Sequence, residues 1–158
     1  MHVSFALFAD AANLSQEGKL NILGVFDAVQ VASMPTVHPR ATLVLRLKGS
    51  GSDIGRHTVS LRWLNPTGTE LWSSLGELDV GAAAPPQQMP SEMDLPLIAA
   101  IDLPLDEVGG YTMQIALDDQ LHASVKLQVR MGAPVLPASG MVSWAVPRGP
   151  DARRRLSS

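Results

Sequence analysis

The chain has 158 residues, of which 46% are apolar and 17% charged; this suits one domain with a real core and excludes a disordered chain. It holds no cysteine, which excludes disulfides, thiol catalysis and cysteine-built zinc sites. The net charge of −3 is uneven: residues 148–158 carry four Arg and one Asp, while the remainder carries 8 basic against 14 acidic groups, so the body is a poor match for nucleic acid phosphates.

The first apolar stretch, Val3 to Ala12, is interrupted by Asp10 and has no basic residue before it, unlike an export signal. No run approaches the ~18–20 apolar residues that cross a bilayer. A cytoplasmic protein without membrane contact is therefore expected. Val3, Phe5, Leu7 and Ala9 alternate with their neighbours and share one face of a strand. Glu17-Gly18 turns the chain. Leu20 to Phe26 is apolar on both faces, which predicts a central strand, with a bulge or close approach at Gly24. Leu43, Leu45 and Leu47 share a face opposite Arg46 and Lys48. The run Gly49-Ser50-Gly51-Ser52-Asp53 could suggest a phosphate cradle, but no helix follows to present its N-terminus, so it reads as a flexible connection.

Val59, Leu61 and Trp63 face away from Ser60 and Arg62, and Asn65-Pro66-Thr67-Gly68 supplies turn chemistry. Thr69 to Val80 alternates poorly and leaves the side of Trp72 open. Ala82 to Pro90 reads as an exposed loop. Leu95 to Leu105 contains Pro96 and Pro104, and proline cannot donate to a ladder, so this segment is expected at an edge or only partly paired. Asp106-Glu107-Val108-Gly109-Gly110-Tyr111 resembles the approach to a tyrosine corner, with the hydroxyl bonding backbone a few residues upstream. From Tyr111 to Leu117 the odd positions are apolar. The same holds from Leu121 to Val129, and Asp118, Asp119 and Gln120 join the two as a hairpin.

Seven to nine short strands with turns between them predict an all-β fold, a two-layer antiparallel β-sandwich, Ig-like or similar, over about residues 2–130. No segment keeps helical periodicity beyond about two turns. Residues 131–158 are a Pro/Arg-rich tail. One strand-like island at 141–146 interrupts it, with Met141, Val142, Trp144 and Val146 as contact residues that could add to a sheet edge. Arg153, Arg154 and Arg155 follow; without a structured basic face they support only weak, salt-sensitive binding to anions.

Three stretches together carry a resemblance. They are Phe5 to Asp10 running on to Glu17–Asp27, then Met34-Pro35-Thr36-Val37-His38-Pro39, then Gly110-Tyr111 through the Asp118-Asp119 hairpin to Leu127. Over about residues 3–130 the chain resembles a bacterial family of small single-domain β-sandwich proteins of unknown function. The resemblance implies the sandwich fold and brings no catalytic residue, cofactor or ligand.

The candidate chemistry is sparse. His2, His38, His57 and His122 show no metal-ligand spacing. His38 is expected in a loop, fixing it through a backbone carbonyl, and His57 at a strand start beside Arg56. Asp102, Asp106, Glu107, Asp118 and Asp119 crowd one region, but the strand between the two acidic loops separates them by about 25 Å. There is no nucleophile elbow, P-loop or dinucleotide fingerprint. Trp63 has core parity, which argues against a sugar-stacking platform. No enzyme activity, catalytic residue, metal or cofactor is expected. The reading is a non-enzymatic protein-interaction module or accessory subunit, with a protein partner or a second copy of the chain. The alternative is a small-ligand or metal-binding domain, which would bring His38 or His57 beside two of those acids.

Overall fold

The computed structural model describes residues 1–81, 92–133 and 140. Nine strands follow one another among these: β1 (His2–Leu14), β2 (Leu20–Phe26), β3 (Ala28–Val31), β4 (Thr36–Gly49), β5 (Gly55–Leu64), β6 (Glu70–Val80), β7 (Met93–Leu105), β8 (Gly109–Leu117) and β9 (Gln120–Met131). One 3-10 turn, Gly51–Asp53, separates β4 from β5. The strands form a four-stranded sheet, β2-β1-β4-β7, and a five-stranded sheet, β3-β9-β8-β5-β6. This is the all-β sandwich that the alternating segments predict. Every pairing is antiparallel except that of β3 on β9, which is parallel. The chain reverses at Asp27 and changes sheets there, so β3 must run alongside β9.

The core follows the period-two pattern closely in the centre. Leu43, Leu45 and Leu47 of β4 and Tyr111, Met113, Ile115 and Leu117 of β8 are all buried. Each such side chain contributes about 1.5–3 kcal/mol by leaving water. Trp63 on β5 is fully buried, stacked 5.2 Å from Tyr111 and edge-on to Phe8 at 5.9 Å. Trp72 lies opposite Trp63 in the register and packs against the same core, half-buried.

Three expectations need correction. First, Val3, Phe5, Leu7 and Ala9 do not share one face. A bulge between Val3 and Phe5 shifts the register, so Val3, Ala6 and Phe8 reach the core while Phe5 and Leu7 turn outward. One extra residue flips every later side chain. Second, Leu20–Phe26 is an edge strand, paired to β1 alone. Its apolar residues do not mark a strand buried on both sides; Leu23 and Val25 are 72% and 60% exposed. The close approach at Gly24 is present: it has φ +68°, and a Cβ there would lie 2.2 Å from Asp10 Oδ2. Third, His38 lies within β4 rather than in a loop, and its ring packs edge-on to Phe26 at 5.4 Å.

Other expectations match. The proline-bearing β7 is an edge strand. The β8–β9 hairpin turns on Asp118 and Asp119, both at positive φ, which is the conformation a tight two-residue hairpin loop requires. The segment from Ala82 to Pro90 lies outside the described residues.

Candidate functional site

Two polar clusters sit at opposite ends of β8. At its start, the Tyr111 hydroxyl accepts the backbone N–H groups of Asp106 and Glu107, both at 2.9 Å. It has one proton to donate, with Glu107 O at 2.7 Å and Asp106 Oδ1 at 2.8 Å as acceptors. Burial raises the tyrosine pKa, which keeps the donor proton in place. Asn65 in the β5–β6 turn donates to Asp106 Oδ2 at 2.9 Å and holds that carboxyl below its usual range. Its own Oδ1 accepts from Thr67 N, Thr67 Oγ1 and Thr69 N. Trp63 Nε1 donates to Pro104 O across the sandwich at 2.9 Å. This is the predicted tyrosine corner; its hydroxyl and the Asn65 amide are bonded within it, while the Glu107 Oε1 is buried without a partner.

At the other end, His57 near the start of β5 bonds through both ring nitrogens. Nδ1 lies 2.7 Å from Asp118 Oδ2, and Nε2 lies 2.7 Å from the Asp53 carbonyl oxygen. Asp118 Oδ1 also accepts the Thr58 N–H at 2.9 Å. The Asp53 carboxylate caps the 3-10 turn by accepting Ser50 N–H at 2.8 Å, and it pairs with the Met1 ammonium at 2.8 Å, which holds it at about 2. The glycine-serine run is thus closed around its own carboxylate and offers no anion cradle.

The five acidic candidates scatter. Asp106 and Asp118 occupy the two ends of β8, and Asp102 accepts Arg40 N–H at 2.8 Å. His57 meets the side chain of one of them, Asp118, not of two. His2 and His122 are exposed. Among the described residues, no three His, Asp or Glu side chains gather where one metal ion could bind. Met141, Val142, Trp144, Val146, Arg153, Arg154 and Arg155 lie outside the described residues.

What the sequence reading missed is a difference between the two outer faces. The five-stranded sheet presents Ser60, Arg62, Thr112, Gln114, Ser124 and Lys126 outward, with Arg62 bonded to Glu70 at 2.7 Å, and places the exposed Leu75 and Leu121 singly among them. The four-stranded sheet presents Leu7 of β1, Val44 of β4 and Ile98 of β7 side by side in the register, with Phe5 of β1 in the next row beside Arg46. Val44 is fully buried there, between Leu7 and Ile98, while Ile98 is 38% exposed. Val25 and Leu23 extend the face along β2. An Arg46–Asp94 ion pair bounds it. The available signal was Val44 between two core leucines: an apolar residue at an even position needs an apolar outer face.

A second apolar feature lies inside the seam between β6 and β7. A cavity of about 140 Å³ is lined by Leu43, Leu45, Val59, Leu61, Leu97 and Ala99, with Ser74 and Gly76 on the edge strand. Small residues at the inward positions of β6 leave that space unfilled.

An immunoglobulin-like protein from Pseudomonas aeruginosa is similar to this chain at 14% identity, with a TM-score of 0.37, over 82% of this chain and 95% of its own. No curated protein matches the chain. No helix among the described residues is long and apolar enough to cross a membrane. The profile of a family of unknown function, DUF6941, matches residues 4–130, which is the whole sandwich, and the chain belongs to that family.

Proposed function

We propose that this chain is a cytoplasmic, non-enzymatic protein-interaction module or accessory subunit. The observation that carries the reading is the apolar row Leu7, Val44 and Ile98 across the outer face of the four-stranded sheet, with Phe5 and Val25 beside it and Thr42 and Arg46 flanking Val44 along β4. A solvated sheet alternates apolar and polar residues, and a contiguous apolar patch on a single domain marks a contact surface. The tail residues Met141, Val142, Trp144 and Val146, with Arg153 to Arg155, would form a second contact in this reading.

Cross-linking affinity capture from native lysate tests it, with the full chain as bait beside an Ile98→Lys chain and one ending at Ala133. The expected result is a protein held by the full chain and released by one of the two altered baits. If every protein that the full chain holds is also held by both altered baits, the reading fails.

A second reading rests on the seam cavity: a small apolar ligand between β6 and β7. Its lining has one hydroxyl, from Ser74, and no charged group. An environment-sensitive apolar dye should then bind the wild type and not a Ser74→Phe chain. Equal dye response in both would remove this reading.

A further inference from the structure

The two sheets leave four edges, and three of them carry devices against strand addition. The β7 edge has Pro96 and Pro104, each without an N–H to offer. The β6 edge carries Glu70, Glu77 and Asp79, which would meet the same charges on a second copy. The β3 edge is four residues long. The fourth edge, β2, has neither proline nor charge in Leu20–Phe26, and exposes Leu23 and Val25 by 72% and 60%.

The β2 edge also belongs to an incompletely supported ribbon. The β1–β4 register ends at Ala9↔Thr42, whereas the β1–β2 register runs on to Leu14↔Leu20. Among the described residues, Ala11 to Leu14 therefore pair with β2 alone. A two-stranded ribbon is marginal in water and gains from a third strand. Leu14 is 47% exposed, so one face of the ribbon keeps apolar surface as the other does at Leu23.

We infer that β2 pairs antiparallel with β2 of a second copy, about a two-fold axis through a single residue, Asn21 or Ile22, because opposed residues of such a pair face the same side. This deepens the interaction-module reading and rests on it. The occupant follows from charge. An antiparallel self-pair sets each side chain near its own kind, which a strand with no charged residue tolerates and an acidic strand does not. Gly24 bends the strand, so the straight edge is Leu20 to Leu23. The pairing joins two four-stranded sheets into one of eight strands. It also brings the exposed Leu23 side chains of the two copies to the same face.

Sedimentation of the full chain tests the inference across concentrations up to about 100 μM, a range that captures weak self-association. The wild type is expected to dimerise. Leu23→Lys with Val25→Lys should weaken the dimer about tenfold or more, by setting like charges against each other. Leu75→Lys, on the exposed outer side of β6, should leave it unchanged. Circular dichroism of each variant shows that it is folded, and amide exchange of Leu20–Phe26 should slow as concentration rises. A wild type that stays monomeric overturns the inference, as does a dimer indifferent to the β2 lysines or equally lost in Leu75→Lys. A monomer that still captures a partner protein leaves the interaction-module reading standing, so the two failures are distinct.

Discussion

His57 Nδ1 lies 2.7 Å from Asp118 Oδ2 while its Nε2 lies 2.7 Å from the Asp53 carbonyl oxygen. Both partners offer acceptors, so both bonds are satisfied together only when both ring nitrogens carry protons, which favours the imidazolium. The bond to Asp118 raises the His57 pKa above 6.5, helped by the Asp53 carbonyl. A raised folded pKa contributes stability that is whole below the unfolded value and is lost as pH rises through the folded one. The Asp118 pKa is lowered by the same bond, so its share is present above 3.8 and is lost as pH falls through its folded value. Wild type should therefore exceed a His57→Gln chain in Tm most clearly near pH 6, and the gap should close on the alkaline side. Thermal unfolding of both across pH checks it; a gap independent of pH would show that the ring is neutral.

Tyr111→Phe removes an oxygen that accepts two backbone N–H groups, those of Asp106 and Glu107. The ring stays stacked on Trp63, so the change isolates the hydrogen bonds. Leaving buried donors without partners costs about 1–3 kcal/mol. Urea unfolding should show a loss of about 2 kcal/mol with an unchanged slope. A loss below about 0.5 kcal/mol would mean that water replaces the hydroxyl.

Gly109 has φ +138°, and a Cβ there would lie 2.9 Å from Pro66 Cγ. The proline ring cannot rotate away, so strain and overpacking add. Gly109→Ala should cost about 3 kcal/mol. Pro66→Ala in the same chain removes Cγ but keeps Cβ, 3.0 Å from the added methyl, so it should recover part of the packing share and leave the backbone share. A double-mutant cycle with no coupling would refute the contact.

Ser74 lines the seam cavity from the edge strand β6. Ser74→Val adds apolar volume and a better strand former at a site that already faces Leu61 and Leu97. A gain of about 0.5–1 kcal/mol is expected from filling it. Calorimetry checks this directly, and a lower Tm would show the space to be narrower than the filled side chain needs.

Much of the fold could be read before any coordinate was placed. The alternation in 43–47, 59–63, 111–117 and 123–129 requires strands with one buried face, because the side-chain period of a strand is two; a register shift at Ala116 turns Leu121, expected inside, outward. Pro96 and Pro104 point to an edge or to partial pairing, because they lack donors, and Asp106 to Tyr111 spells the corner that the structure forms. The faces of β1 were not legible, because a bulge between Val3 and Phe5 leaves no mark on composition. Leu20–Phe26 misled for a related reason: apolar residues on both faces describe a buried central strand and an unguarded edge equally well.

The amino-acid sequence by itself determined that the chain is a β-sandwich with a core from alternate positions, since burial and backbone pairing are dictated locally by residue type and period. That Leu20–Phe26 lies at an edge was decided only by the tertiary structure. So was the meeting of His57 with Asp118, 61 positions away. The apolar outer face likewise exists only once β1, β4 and β7 stand in register, because Leu7, Val44 and Ile98 are distant in the chain and become neighbours through the pairing of their strands.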